Sequence, residues 1–212
     1  MAHKVFLALK TLLDDYLFPR SQEESVFLEW CSGMRADPGL LTNPDGIFYL
    51  FPYRSAIGKG AISLVKRLGD EQALQAVARR LVSHMKENIK DGEGAGFAVV
   101  PSEHHHVVEY GYDHAAGLRD AIKVELKAAG LIMKEIHLTS VGKKKRQTET
   151  TSRTERQTNV AHTMECQDDV RGMIAVVIDD VATTGSTLRE AARALKARGA
   201  KKVIRYAVAW ES

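Results

Sequence analysis

Between Gly46 and Trp210, short apolar segments alternate with longer segments of helical period. This alternation constrains the fold more than any other feature of the chain. Gly46 to Pro52 holds Ile47, Phe48, Tyr49, Leu50 and Phe51 in a row and reads as a strand. Ser55–Leu68 and Glu71–Asn88 follow as helices. The second places Leu74, Val77, Ala78, Leu81, Val82 and Met85 on one face at steps of three and four. Phe97–Val100 is a short apolar strand stopped by Pro101, and Tyr112–Ala129 is a helix closed by Gly130. Glu135–Thr139 reads as a strand, Met173–Ile178 as a strand buried on both faces, Leu188–Arg198 as a helix closed by Gly199, and Val203–Trp210 as the last strand. Parallel strands need crossover connections, and helices of this length supply them. The expected fold class is therefore α/β, a mainly parallel sheet with helices on both faces. Such sheets bind ligands at the carboxyl ends of their strands, near a switch in strand order.

The first 45 residues are less regular. Thr11–Phe18 is a short helical stretch stopped by Pro19, Ser25–Met34 is another, and Asp37-Pro38-Gly39 and Asn43-Pro44-Asp45-Gly46 are turn signals. The expected organisation is an irregular, helical segment over 1–45 and the main domain over 46–212. Hydrophobic residues are 44% of the 212, enough for one core. No apolar run approaches the roughly 20 residues that cross a bilayer, so no membrane insertion is expected. Val5–Leu9 is cut short by Lys10 and has no cleavage pattern after it, which argues against a secretory leader and for a cytoplasmic protein. Cys31 and Cys166 form no CxxC pair and no zinc spacing, as expected of unpaired thiols in a reducing compartment. A net charge of +3 is too small to mark a nucleic-acid binder by itself.

The segment Ala175-Val176-Val177-Ile178-Asp179-Asp180-Val181-Ala182-Thr183-Thr184-Gly185-Ser186-Thr187-Leu188 carries the most chemistry. An apolar strand delivers two adjacent carboxylates to its carboxyl edge, and a hydroxyl-rich turn then opens a helix. A helix start offers free backbone N–H groups and a positive dipole end, which favour a phosphate. Gly185 permits close approach, and Thr183, Thr184, Ser186 and Thr187 add donors. Asp179 and Asp180 would accept from the vicinal hydroxyls of a sugar. A phosphorylated sugar suits the whole string. Neither GxxxxGK[ST] nor a GxGxxG after a strand occurs.

Two further segments leave alternatives open. Gly142–Asn159 holds Lys143, Lys144, Lys145, Arg146, Arg153 and Arg156 with no apolar period. It reads as a solvated surface loop, as a lid that closes over a diphosphate and excludes water, or as a nucleic-acid patch. Pro101–His106 reads as a diphosphate loop built on Pro101 and Ser102, as a plain exposed loop, or as a metal site on three consecutive histidines. Adjacent side chains diverge, which weighs against the metal. Tyr206 and Trp210 sit in or after the last strand, where Trp210 could stack on a base or serve as a buried or interface aromatic.

The 175–188 segment resembles the phosphoribosyl-diphosphate binding motif of type I phosphoribosyltransferases. Arg146-Gln147-Thr148 and Ser152–Val160 are similar to a segment of the ComF-type branch of that family. So are Val100-Pro101 with Tyr110–Ala115, Tyr53-Arg54 with Lys66, and Leu17-Phe18-Pro19. The family's N-terminal zinc-binding cysteines are missing here. The resemblance implies a parallel core with a small hood. It implies 5-phosphoribosyl 1-diphosphate with Mg²⁺ as donor and a nitrogenous base as acceptor. It places Asp179 and Asp180 at the ribose diol and the Mg²⁺ shell, Thr183–Thr187 at the 5-phosphate, and Arg146, Arg153 or Arg156 at the diphosphate. The alternative it implies is a non-catalytic accessory of competence and DNA uptake that keeps the ligand-binding fold. A homodimer is left open.

Overall fold

A computed structural model describes residues 20–33, 39–90, 93–141 and 163–211. The Thr11–Phe18 helix, the Gly142–Asn159 stretch and its Arg146, Arg153 and Arg156 lie outside the described residues.

The first helix, α1 (Gln22–Cys31), starts at a reciprocal cap. The Glu24 amide donates to Ser21 Oγ at 3.2 Å, and the Ser21 amide donates to Glu24 Oε2 at 2.9 Å. A hairpin of β1 (Leu41–Thr42) and β2 (Ile47–Pro52) leads to α2 (Ala56–Ile62), which runs into a π-helical turn over Ser63–Leu68. Helix α3 (Glu71–Asn88) is capped by Asp70, whose carboxylate accepts from the Ala73 amide at 3.0 Å. Then come β3 (Ala95–Val99), α4 (His104–Tyr110), α5 (His114–Ala129), β4 (Lys134–Glu135) and β5 (Leu138–Ser140). The remaining elements are β6 (Met164–Cys166), β7 (Ile174–Ala182), α6 (Ser186–Ala197) and β8 (Lys202–Trp210).

The main sheet has six strands in the order β1-β2-β8-β7-β3-β4. Only β1 is antiparallel to its neighbour. The fold class is thus α/β with a mostly parallel sheet, as the alternation predicts. Strands β5 and β6 form a separate antiparallel pair.

Apolar side chains from both faces of the sheet feed two cores. On one face, α1, α2, the π turn, α3 and α5 bury Phe27, Leu64, Leu81, Ile122 and their neighbours against Val176, Ile178 and Tyr206. Trp30, Phe27 and Phe51 meet there in stacked and edge-on contacts at 5.0–5.6 Å. On the other face α6 sets Leu188, Ala191, Ala194 and Leu195 against Ala175, Val177 and the β5–β6 pair.

This placement creates the feature that matters for function. The chain leaves β3 through α5 towards β4 on one side, and leaves β7 through α6 towards β8 on the other. Strands β3 and β7 are neighbours, in register from Ala95↔Ile174 to Val99↔Ile178. Connections that diverge from adjacent parallel strands leave a crevice beyond their carboxyl ends.

Several boundaries differ from the sequence expectation. Strand β7 continues past Ile178 through both aspartates to Ala182, because β8 pairs with it as far as Ala182↔Trp210. The expected strand over Glu135–Thr139 divides between two sheets. The Ile136 amide still bonds to Phe97 O, whereas His137 O already accepts from Gln167 beside β6. The tract His104–His106 opens α4, so the loop after β3 ends at Glu103. Tyr206 is fully buried and its hydroxyl meets His84 Nδ1 at 2.9 Å, which makes it a core residue. Trp210 is half-buried, tilted against Tyr49 at 6.3 Å.

A cleft at the carboxyl ends of β3 and β7

The crevice between β3 and β7 holds a cleft of about 340 Å³. Its lining includes Pro101 and Ser102 from the end of β3, and Asp179, Asp180 and Val181 from β7. Thr187 from α6, Lys66 from the π turn, His114 from α5, and Ser140, Thr163 and Met164 from the β5–β6 pair complete most of the wall. Five residues that the sequence singles out therefore converge: Pro101, Ser102, Asp179, Asp180 and Thr187. Thr183, Thr184, Gly185 and Ser186 form the turn next to it, between β7 and α6.

That turn is built for its conformation. Gly185 is the N-cap of α6 with φ +68°. A Cβ there would lie 2.7 Å from Ile47 Cδ1, so another residue would strain the backbone and displace the end of the Ile47 side chain. Thr184 Oγ1 donates to Ser186 Oγ at 3.0 Å and accepts from the Ser186 amide at 3.3 Å. Thr183 and Thr184 are exposed. The first amides of α6 have no carbonyl within the helix to bond, so an anion in front of the turn would find donors.

Both carboxyl groups of the acidic pair are buried, at 9% exposure for Asp179 and 6% for Asp180, but their surroundings differ. Asp179 Oδ1 accepts from the Asp180 amide at 2.9 Å. Burial first, then the Asp180 carboxylate beside it, pushes the Asp179 carboxyl well above the usual range. Burial opposes ionisation of Asp180 too, but Lys66 and His114 outweigh it and hold that group below its ordinary value. Lys66 Nζ stands 2.8 Å and His114 Nε2 3.2 Å from Asp180 Oδ2. The Val181 amide donates to Asp180 Oδ1 at 2.6 Å.

Ser102 ties the end of β3 to the start of α5. Its hydroxyl donates to Asp113 Oδ1 at 2.7 Å and accepts from the Ala115 amide at 3.2 Å, and His114 Nδ1 lies 3.2 Å away. Asp113 is also the cap of α5, accepting from the Ala115 and Ala116 amides. Desolvation works against its charge, yet the Ser102 hydroxyl and those amides keep its pKa low. The loop that follows β3 is thereby fixed to the helix that brings His114 to the cleft.

Sequence reasoning missed the link from Lys66 and His114 to the acidic pair. Lys66 enters the reading only through the Tyr53–Lys66 resemblance, and His114 only within Tyr110–Ala115. The one local sign is a histidine directly after the Asp113 cap, at the first position of an amphipathic helix. Lys66 has no such sign, because helical period does not report a π turn.

Among the described residues, no group of three or more His, Cys, Asp or Glu side chains could hold a metal by itself. No helix among them is long and apolar enough to cross a membrane. Cys31 and Cys166 are both free thiols.

Residues 119–212 match the family model of the phosphoribosyl transferase domain. This span contains β7, the hydroxyl-rich turn and α6. Curated relatives are named ribose-phosphate pyrophosphokinase. One from Vibrio vulnificus is 35% identical over 102 residues, covering 44% of this chain and 29% of the relative. One from Vibrio cholerae is 51% identical over 49 residues, covering 23% and 16%. The chain thus spans less than a third of the length of these relatives. Solved structures that it resembles include a hypoxanthine phosphoribosyltransferase from Staphylococcus aureus, with a TM-score of 0.38, 10% identity and coverage of 63% and 60%. Another is a hypoxanthine-guanine phosphoribosyltransferase from L. donovani, with a TM-score of 0.40, 11% identity and coverage of 65% and 71%.

Proposed function

We propose, from the match of residues 119–212 to a phosphoribosyl transferase domain, that this protein binds 5-phosphoribosyl 1-diphosphate with Mg²⁺. On this reading it transfers the phosphoribosyl group to, or from, a nitrogenous base. One observation carries the reading: the buried acidic pair Asp179-Asp180 lies near the carboxyl end of β7 at the sheet's crevice, and a short hydroxyl-bearing turn leads from it to a glycine-capped helix start. A ribose 5-phosphate needs both parts, acceptors for its diol and amides for its phosphate. The names of the matched domain and of the curated relatives share that ligand chemistry, a ribose carrying phosphate.

The residues fall into roles by position. Asp179 and Asp180 are assigned to the ribose side of the cleft. Thr183, Thr184, Gly185, Ser186 and Thr187 surround the 5-phosphate, with the amides of the turn as principal donors. Pro101 and Ser102, on the opposite lip, border the diphosphate. Arg146, Arg153 and Arg156, outside the described residues, would add charge against the diphosphate.

Mg²⁺ fits this donor set as a cation that arrives with the ligand. Asp180 has both oxygens engaged within the protein, so a carboxylate cage is excluded, while Mg²⁺ ordinarily takes most of its oxygens from phosphates and water. Asp179 and Asp180 would border its shell, and when bound it would neutralise charge on the departing diphosphate. The protein's own part is to hold the sugar between the turn and the acidic pair. Displacement at the anomeric carbon builds positive charge on the ring, and a buried carboxylate nearby stabilises it.

The accessory reading, with DNA or competence machinery as partner, rests on Gly142–Asn159, outside the described residues. The test of turnover is a screen of purine, pyrimidine and nicotinate-type bases for diphosphate release from the donor in Mg²⁺. Release with one base, abolished in D179A/D180A, is the expected result. Release with none would reduce the proposal to binding alone.

A further inference from the structure

Asp180 differs from Asp179 in what holds it. Its Oδ1 is taken by the Val181 amide, and its Oδ2 by nitrogen-bearing side chains from two different elements, Lys66 at 2.8 Å and His114 at 3.2 Å. These side chains are 19%, 8% and 7% exposed for Lys66, His114 and Asp180. Buried ion pairs of this kind add little net stability, because desolvation cancels most of the attraction. The pair therefore needs another reason to sit in the cleft.

The approach of Lys66 is itself unusual. Helix α2 passes into a π turn at Ser63, where the Gly69 amide bonds five residues back to Leu64 O and the Asp70 amide shares the same acceptor. A π turn adds one residue to a turn, which rotates later side chains by about 100° relative to a regular helix. Leu64 and Val65 stay in the core while Lys66 reaches the cleft.

Resting on the ribose reading of the acidic pair, we propose that Lys66 and His114 are positioning residues. They fix Asp180 as a charged internal anchor, and Asp179 is thereby the carboxyl group offered to the ligand. Lys66 acts on the ligand through Asp180 and does not touch it.

A double-mutant cycle on the full chain tests this. Calorimetry with 5-phosphoribosyl 1-diphosphate and Mg²⁺ is run on wild type, K66M, D180N, K66M/D180N, D179N and K66M/D179N. The inference expects K66M and D180N each to weaken binding about tenfold, the size of a typical coupling between contacting groups. It expects K66M/D180N to be no weaker than the worse single variant, K66M to add little to D179N because Asp180 acts through Asp179, and K66R to recover most of the affinity. Equal melting temperatures for K66R and wild type would separate positioning from folding. Factors that multiply in K66M/D180N would mean that Lys66 meets the ligand itself, and an unchanged K66M affinity would mean that it has no role; either overturns the inference. Should wild type not bind this probe, the ribose reading fails. The same cycle read by urea unfolding without ligand then decides the clamp: coupled losses support it, and additive losses overturn it.

Discussion

The Asp180 amide donates to Asp179 Oδ1 at 2.9 Å, so the second residue of the acidic pair holds the first in place through its backbone. Its own side chain is held from the opposite direction by Lys66 and His114. Two neighbours of identical chemistry thus stand in unlike environments. Removing both in D179A/D180A should weaken binding of the phosphoribosyl donor by roughly 2–4 kcal/mol, the loss of the carboxyl that meets the ligand together with the anchor that positions it. The double variant leaves Lys66 and His114 without their carboxylate partner, so its fold is checked by circular dichroism beside the titration.

Gly185→Ala should cost about 1–3 kcal/mol in urea unfolding, because φ +68° disfavours any side chain and the new Cβ would press on Ile47. Affinity for ribose 5-phosphate should drop along with it, since the same turn presents the α6 amides. A variant as stable as wild type would show that the turn has room the geometry denies.

Glu190 ties α6 to the strand at the rim of the cleft. Its carboxylate accepts from Arg193 at 2.8 and 2.9 Å and from the Met164 amide at 3.2 Å, and Arg193 also donates to Met164 O. Glu190 is 5% exposed. E190A leaves the Met164 amide without that partner and should destabilise the protein by about 2–4 kcal/mol. The double variant E190L/R193L, read in the same unfolding assay, should lose less than E190A.

Asp168 sets a pH dependence. The His137 amide holds its carboxylate at 2.7 Å, burial opposes this, and Lys134 stands 3.1 Å from the other oxygen; the result is a pKa lowered to about 2. A depressed carboxyl pKa stabilises the fold above the unfolded value near 3.8, and the contribution fades as pH falls towards 2. D168N should therefore melt a few degrees below wild type at pH 7, on the order of 2–4 °C per kcal/mol lost. The gap should narrow steadily below about pH 4. A gap independent of pH would assign the loss to shape and not to charge.

The Cys31 thiol is pushed up to about 12, first by burial and then by the Asp70 carboxylate. Thiolate is the reactive form. Alkylation of the native protein by iodoacetamide at pH 8 should be far slower at Cys31 than in urea. Comparable rates in both would contradict the burial of this thiol.

Much of this was legible in the sequence, and the gaps have physical reasons. The parallel order follows from alternating period, and the β7–turn–α6 segment is read from consecutive residues whose chemistry is local. The end of β7 was not legible, because two aspartates look like the exposed edge of a strand. Lys66 and His114 stand against Asp180 and a backbone amide bonds Asp179, and pairing with β8 can then run to Trp210. Nor was the division of Glu135–Thr139, since periodicity reports which face a residue takes but not which strand it joins. The meeting of Lys66 with Asp180 depends on a π turn and on a helix crossing the sheet, and neither leaves a local signal.

The central claim is that the cleft beyond β3 and β7 binds a phosphoribosyl group. Calorimetric titration of the full chain with 5-phosphoribosyl 1-diphosphate, in the presence of Mg²⁺, tests it most directly. The account predicts saturable binding at one site per chain that ribose 5-phosphate displaces and D179A/D180A weakens by at least tenfold. Absence of binding by wild type, or equal affinity in a folded D179A/D180A variant, would contradict it.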